Sequence, residues 1–488
     1  MKYLPSTLLL GLLAFTLRAQ TPAPAPATPS DPFVKKPGDA AAKEKPDWRS
    51  CFFVLEVYAL DKNDARSVIE SDGGNAARYQ RVAELAKAGK ARLDTLTALA
   101  SKNGQRAVIQ GIDEVRYPTE FSPPSDDKSI AGPSAWETRN AGDTLELEPV
   151  IMADGRTCDV NLMLQRVCLN SMRDTVGAVG DALTSQPVFH NQTLATAVAA
   201  SGSEPFFLGT YTPAPAKPDD ATSGEVWLAF LHANIQDPND AKSSPKANQF
   251  GPLHLEYSIY SLDRALALDL LTAPSPASAA WEKLQALLGE KKARFEHLTT
   301  ITTKLGQRAA TEETREERYW TEGTRPSRPA AAVERTEHTT VTEPTPDPTQ
   351  TTKKDFSKSV TATETTTVTW DDVHSPRIPG YASAFETRNT GVSVEVEPTV
   401  SPDGQTVEVN QAVSETVLLG SLKGTGVAEK YPWQPLFEAR KLRSTQTLPI
   451  GVHVLAGTLN PPGADGVNDR TDPGRTWVLF VRALPNEP

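Results

Sequence analysis

The chain has 488 residues, more than a single hydrophobic core usually organises, so its length predicts two domains. A formal charge of -11, with no basic stripe interleaved with aromatic residues, excludes a nucleic-acid-binding surface. The three cysteines, Cys51, Cys158 and Cys168, are too few for the disulfide framework of a small secreted domain.

The N-terminus has the order of a secretory signal peptide. Lys2 precedes the apolar stretch LLLGLLAF at 8–15, and Ala19 closes the segment ahead of Gln20. We predict a signal peptide at 1–19 and an exported mature chain. The first cysteine is Cys51, far from the apolar stretch, which argues against a lipid anchor. A Pro/Ala-rich tether follows at 20–50 and is typical of a semi-extended spacer.

Two long segments then carry the same landmarks, and we name them repeat 1 (51–236) and repeat 2 (253–486), joined by a linker at 237–252. Each opens with a predicted strand, FFVLEVYAL at 52–60 and LHLEYSIYSL at 253–262, in which Leu55-Glu56 matches Leu255-Glu256. Two predicted helices follow in each repeat, with Gly89 and Gly289 as equivalent terminators. A GQRA motif then marks a turn between two strands, with Gly104 or Gly306 at the bend.

The most specific match is a hairpin. Residues 134–149 read SAWETRNAGDTLELEP and residues 383–398 read SAFETRNTGVSVEVEP, with the alternation of a strand that has one apolar and one wet face. An Asp-Gly turn follows in both repeats, at 154–155 and 403–404. QPVF, LGTYTP and WLAFLHA in repeat 1 are then matched by QPLF, AGTLNP and WVLFVRA in repeat 2. The shared order indicates duplication of a whole domain.

Repeat 2 carries an insert. The GQRA motifs lie 202 positions apart and the ETRN motifs 249, so the insert has 47 residues, within a Thr-rich segment at about 321–372. Thr is a good strand residue and PTPDPT would form a bend, which favours a long solvated hairpin over a disordered segment.

These landmarks resemble the C-terminal homology domain of secretins, the outer-membrane channel subunits of type II and type III secretion and type IV pilus systems. The resemblance lies in the opening strand, the GQRA strand, the ETRN hairpin and the closing strand WLAFLHA or WVLFVRA. It implies an α+β, mainly β fold of two tandem secretin-like domains, each a mostly antiparallel sheet with a pair of short helices. It also implies a non-enzymatic envelope protein that assembles with itself or with another secretin-like protein, in the periplasm or outer membrane of a Gram-negative-type bacterium.

The sequence departs from the secretin pattern in three ways. Two units stand in tandem without the usual small periplasmic domains before them, and polar residues replace the apolar segment that precedes the last strand in secretins. The insert offers only an interrupted apolar face for membrane contact, whose candidates are Phe356, Val360, Val368 and Trp370. The alternative is a soluble periplasmic or surface binding or scaffolding module that kept the fold and lost the channel.

Candidate structural or assembly residues come from the repeated hairpin: Glu137, Arg139, Gly142, Pro149, Asp154, Gly155, Glu386, Arg388, Gly391, Pro398, Asp403 and Gly404. The Glu and Arg of each ETRN motif suggest either an ion pair inside the hairpin or a contact with a neighbouring subunit. We favour the internal role.

The sequence offers no site for chemistry. Its seven histidines lack the spacing of metal ligands, and the paired glutamates Glu146/Glu148 and Glu395/Glu397 lie on the wet face of a strand. It contains no nucleophile elbow, HExxH motif or phosphate-binding loop. We therefore expect no catalytic, metal or cofactor site, no enzymatic activity and no small-molecule substrate.

Overall fold

The strands and helices of the chain come in the same order twice. In repeat 1 they are β1 (Ser50–Asp61), α1 (Lys62–Ile69), α2 (Gly74–Lys87), β2 (Ala91–Lys102), β3 (Ala107–Ser122), β4 (Gly132–Ile151), β5 (Thr157–Val176), β6 (Leu183–Ser201), β7 (Phe206–Tyr211) and β8 (Glu225–Gln236). A 3-10 helix, Pro238–Asp240, follows. In repeat 2 they are β9 (Pro252–Asp263), α3 (Arg264–Leu271), α4 (Ala277–Gly289), β10 (Ala293–Lys304), β11 (Ala309–Gly323), β12 (Ala382–Val400), β13 (Thr406–Ser421), β14 (Pro435–Pro449), β15 (His453–Thr458) and β16 (Arg475–Pro485).

This computed structural model describes residues 47–71, 73–122, 132–176, 183–201, 204–213, 224–240, 251–272, 277–323, 382–421, 434–462 and 474–485. Most of the Thr-rich insert, with Phe356, Val360, Val368 and Trp370, lies outside these residues. No helix within the described ranges is both long enough and apolar enough to cross a bilayer.

Within the described ranges, sixteen strands form two antiparallel sheets, and each sheet contains strands of both repeats. The first sheet has the order β10-β9-β16-β15-β2-β1-β8-β7 and the second the order β11-β12-β13-β14-β3-β4-β5-β6. The mainly β, antiparallel architecture with two short helices per repeat confirms that part of the fold prediction. The expectation of one sheet per repeat is wrong, because the turns at Gly104 and Gly306 pass the chain from one layer to the other.

The main core lies between the two sheets. It joins Phe53 and Leu55 of β1 with Leu145 and Leu147 of β4, and it continues into repeat 2 through a run of apolar residues such as Tyr257. The helices cover the outer face of the first sheet, so β1 is buried on both faces over almost its whole length. Residues Trp48–Pro488 therefore form one unit with a shared interior.

Asp residues start the first helix of each repeat. Asp61 accepts a hydrogen bond from the Asn63 backbone N–H at 2.8 Å, and Asp263 accepts one from the Ala265 N–H at 2.9 Å. Both satisfy N–H groups that have no partner inside the helix. They lie 202 positions apart, which fixes the correspondence between the repeats.

The same offset corrects two matches made from the sequence. A β-bulge skips Asp94 on β2, and the equivalent bulge skips Glu296 on β10, 202 positions later. With this offset Leu55 corresponds to Tyr257. The Leu-Glu pairs at 55–56 and 255–256 are therefore shifted by two residues relative to each other. The left-handed residue after the second helix is Gly89 (φ 70°) in repeat 1 and Lys291 (φ 59°) in repeat 2. Gly289 instead belongs to α4.

Candidate assembly interface

The Asp-Gly turns predicted in the hairpins are confirmed. Asp154 accepts hydrogen bonds from the Thr157 hydroxyl at 2.6 Å and from the backbone N–H groups of Arg156 and Thr157 at 2.9 Å. The Thr157 hydroxyl, followed by those backbone donors, lowers the pKa of Asp154 to about 2. Gly155 and Gly404 both adopt a left-handed conformation, and Asp403 accepts from the Gln405 N–H at 3.0 Å.

The glycines and prolines that recur in the two hairpins have local structural roles. Gly142 (φ 128°) and Gly391 (φ 120°) lie so close to the preceding strand that a Cβ would overlap its backbone. The Pro149 carbonyl accepts a hydrogen bond from the Gly104 N–H at 2.7 Å, and the Pro398 carbonyl accepts from Gly306 at 2.8 Å. These contacts tie the turn of each GQRA motif to its own hairpin.

The arginine of each GQRA motif pairs with a glutamate of the wet strand face. Arg106 contacts Glu146 in repeat 1, and Arg308 contacts Glu395 at the corresponding position of repeat 2. These carboxylates are thus half of a repeated surface ion pair.

The charged residues of the second ETRN motif reach across to repeat 1. Arg388 on β12 donates from Nε to Glu114 on β3 at 2.8 Å and from Nη2 to the other carboxylate oxygen at 2.6 Å. Glu386 lies 3.6 Å from the buried guanidinium of Arg116, also on β3. In repeat 2 these two residues therefore pair with repeat 1 of the same chain, and not with each other inside the hairpin as the sequence analysis favoured.

Backbone pairing makes the junction between the repeats continuous in both sheets. In the second sheet, seven consecutive residues of β14, from Phe437 to Arg443, pair with β3 from Glu114 to Val108. In the first sheet, β15 meets β2 at Gly457 and Leu99. Thr458 accepts from the Ala98 N–H at 3.1 Å and its hydroxyl donates to the Ala98 carbonyl at 3.4 Å.

Side chains of repeat 2 also cover the edge of repeat 1. Leu96 on β2 is only 2% exposed, because it packs in a cluster with Leu284 of α4 and Leu455 of β15. Trp136 of β4 and Trp320 of β11 meet edge to face, with ring centroids 5.7 Å apart. Burial, strand pairing and ion pairs thus coincide at this junction.

Beside the junction lies a buried arginine that carries no sequence motif. Arg166 of β5 donates to Asp143 at 2.6 Å and to Asp94 of the other sheet at 2.6 Å. Burial opposes the charge of Arg166, yet these two carboxylates hold its pKa well above the usual value. The adjoining cavity of about 50 Å³ has room for water molecules only. Since Arg166 binds carboxylates of both sheets, the cluster acts as a cross-link between the two sheets.

The sides of the two repeats that face away from this junction carry residues equivalent to those that form it. Repeat 1 exposes Glu137 and Arg139 on β4, which correspond to Glu386 and Arg388. Repeat 2 exposes Glu316 and Arg318 on β11, which correspond to Glu114 and Arg116. Each of the four charged residues that pair across the junction therefore has an exposed equivalent on the outer side of the other repeat.

Apolar residues show the same relation. Among the residues that the structure describes, the three most exposed large apolar side chains are Phe385 (64%), Phe295 (55%) and Leu298 (54%), all in repeat 2. Leu298 corresponds to the buried Leu96, and Phe385 corresponds to Trp136. Apolar side chains of repeat 2 are thus exposed at positions where the equivalent side chains of repeat 1 pack against repeat 2.

One position breaks the correspondence. A Cβ at Gly111 of β3 would overlap the Asn460 carbonyl oxygen, so the junction needs glycine there. The corresponding residue of β11 is Glu313, and β11 also carries Glu312, Glu316, Glu317 and Glu322. If another copy packed on β11 in the way that repeat 2 packs on β3, the backbone around Glu313 or its partner would have to move.

The described residues include no group of three or more His, Cys, Asp or Glu side chains placed to hold a metal ion. No protein-family model matches the sequence, and no curated protein matches it. The comparison with solved structures gives a weak match to the InvG secretin domain β-barrel from the Salmonella SPI-1 injectisome NC-base. The match has 8% identity, covers 66% of this chain and 88% of that chain, and has a TM-score of 0.22. These values assign neither a family nor an activity to this chain.

Proposed function

We propose that this chain is an exported, non-enzymatic, secretin-like envelope protein that assembles head to tail with further copies of itself. The observation that carries the proposal is the junction between the repeats. It uses mainly β12, β14 and β15 of repeat 2 against β2 and β3 of repeat 1, with one further contact between the end of β11 and β4. When two different surfaces form a contact, each repeat still has the surface that the other repeat uses. Further copies can bind through these free surfaces, and the same contact repeated between copies builds a ring or a filament.

The unused halves are chemically complementary. By correspondence with the Arg388–Glu114 and Glu386–Arg116 contacts, Arg139 would meet Glu316 of the next copy and Glu137 would meet Arg318. At the same interface, the uncovered Phe295 and Leu298 on β10 of that copy would lie beneath α1 and α2 of this chain, as Leu96 lies beneath α4. Burying these side chains supplies a driving force that the ion pairs alone lack.

A second candidate is a soluble periplasmic or surface module that binds or scaffolds and does not polymerise. Glu313 in place of Gly111, together with the other glutamates of β11, favours it. Charged residues on an edge strand are a common device against edge-to-edge pairing. In this case the internal junction is a fixed intramolecular pair.

Charge reversal separates the two candidates. Arg139→Glu places a glutamate opposite Glu316 of the next copy, so we expect the assembly to weaken at least tenfold in sedimentation velocity. Glu316→Arg in the same chain restores the opposite charges and should restore assembly. Arg156→Glu, on the same hairpin at its other end, is the matched control. A wild-type protein that sediments as a monomer at all concentrations, unchanged by these substitutions, supports the second candidate.

A further inference from the structure

Two of the three cysteines face each other inside repeat 1. The Sγ of Cys51 on β1 lies 3.4 Å from the Sγ of Cys158 on β5, and both side chains are fully buried. β1 belongs to the first sheet and β5 to the second. The thiol contact therefore spans the two layers of the fold.

Repeat 2 shows what packing alone requires at these positions. Cys51 corresponds to Leu253 and Cys158 to Val407, and both aliphatic residues are buried in the same core. A leucine and a valine fill this site in one repeat, so the fold itself does not demand cysteine there. The pairing of two cysteines at facing positions is instead suited to a covalent bond.

We propose that Cys51 and Cys158 form a disulfide bond that joins the two sheets of repeat 1 in the mature protein. The two sulfurs lie at 3.4 Å, within van der Waals contact, and have to approach to the bonded value of about 2.05 Å.

The bond forms by thiol–disulfide exchange with an oxidised dithiol. The Cys158 thiolate attacks one sulfur of the donor disulfide, and the Cys51 thiolate then displaces the donor from the mixed disulfide. Cys51 and Cys158 together lose two electrons and two protons, and the donor gains both as its S–S bond becomes two thiols. Both sulfurs are buried in the folded protein, so the exchange takes place before folding is complete.

The inference rests on the export in the proposed function, since a reducing cytosol keeps thiols reduced. Cys168 serves as an internal control. It lies ten residues beyond Cys158 on β5, about 33 Å along an extended strand. The bond would close a loop between residues 107 positions apart and would restrict the unfolded chain, so reduction should lower the melting temperature.

The direct test is peptide mapping of the mature protein from its native envelope, with thiols alkylated at lysis. Trypsin places the three cysteines in separate peptides, 50–62, 157–166 and 167–173. We expect the first two to be joined and Cys168 to be alkylated. An exported protein in which all three cysteines are alkylated, or in which Cys168 is cross-linked, would overturn the proposal.

Refolding distinguishes a failed disulfide from failed export. Purified protein refolded in a glutathione redox buffer should form the bond between Cys51 and Cys158 whether or not cells export the chain. Reduction should then lower its melting temperature by several degrees, while Cys51→Leu with Cys158→Val, the pair found in repeat 2, should be insensitive to reductant. Refolding that gives no preference for this pair would also overturn the proposal.

Discussion

Arg388 on β12 and Glu114 on β3 share two hydrogen bonds, of 2.8 Å and 2.6 Å, across the junction between the repeats. Both side chains are partly shielded from water, with 29% and 14% exposure. A charge-assisted, two-point contact of this kind is stronger than an exposed ion pair. It links residues 274 positions apart in the sequence.

We predict a coupling free energy of about 1 kcal/mol between Arg388 and Glu114. Each single alanine substitution should destabilise the chain, and the double substitution should cost less than the sum. Urea unfolding of the four proteins of the cycle measures this. The same cycle on Arg139 and Glu316, at concentrations below assembly, is the control and should give a coupling near zero. Equal coupling in both cycles would contradict the assigned junction.

Gly111→Ala should destabilise the protein by roughly 2 kcal/mol, because the added Cβ overlaps the Asn460 carbonyl oxygen and pushes the repeats apart. Gly289→Ala is the matched control. Its Cβ has no neighbour within 4 Å, and alanine suits the end of α4, so we expect no loss of stability. Denaturant midpoints measure both effects. If Gly111→Ala unfolds at the wild-type midpoint, the close approach of the repeats is not required.

His453 should make the protein less stable in mild acid. Its ring stacks on Trp281 at 3.7 Å, and burial, followed by the charge of Arg482, lowers its pKa to about 4. Since the unfolded histidine titrates near 6.5, the unfolded chain binds more protons between pH 6.5 and pH 4. Stability should therefore fall as the pH drops through this window, by roughly 1–2 kcal/mol after allowance for the half-exposed ring.

His453→Phe keeps the stack on Trp281 and removes the titration. Unfolding free energies measured from pH 7.5 to pH 4.5 should fall less steeply for this variant than for the wild type, with parallel behaviour above pH 7. Identical slopes for the two proteins would rule out His453 as a source of the acid sensitivity.

Removing the exposed apolar side chains of repeat 2 should block assembly without unfolding the monomer. We expect the variant with Phe295→Ser, Leu298→Ser and Phe385→Ser to lose higher-mass species in native mass spectrometry. Its unfolding free energy should change little, because these side chains are more than half exposed. Val150→Ser, at an exposed apolar position on repeat 1, is the control. Assembly that survives the triple substitution would place the contact elsewhere.

Much of the local structure could be predicted from the sequence. The alternation in the ETRN hairpins, the Asp-Gly turns and the GQRA bends all depend on contacts between residues that are near each other in the chain. These elements confirm that short-range patterns determine the strands and turns of each repeat.

The merging of the repeats could not be predicted in the same way. The β14–β3 pairing depends on which edge of one repeat meets which edge of the other, and no periodicity encodes that choice. The sequence therefore does not identify the partner of Arg388, although the recurrence of this arginine as Arg139 indicates a shared role. Only the structure shows that Gly111 and Glu313, which look unrelated in the sequence, occupy the position where the two ends of the chain differ.

We propose that the chain continues its internal junction into further copies. The native mass of the wild-type protein, extracted in mild detergent from fractionated cells, tests this proposal. Assembly head to tail predicts particles of many times 52.7 kDa that dissociate on Arg139→Glu. A particle of one chain at every concentration and in every fraction would contradict the claim and leave a closed, paired module.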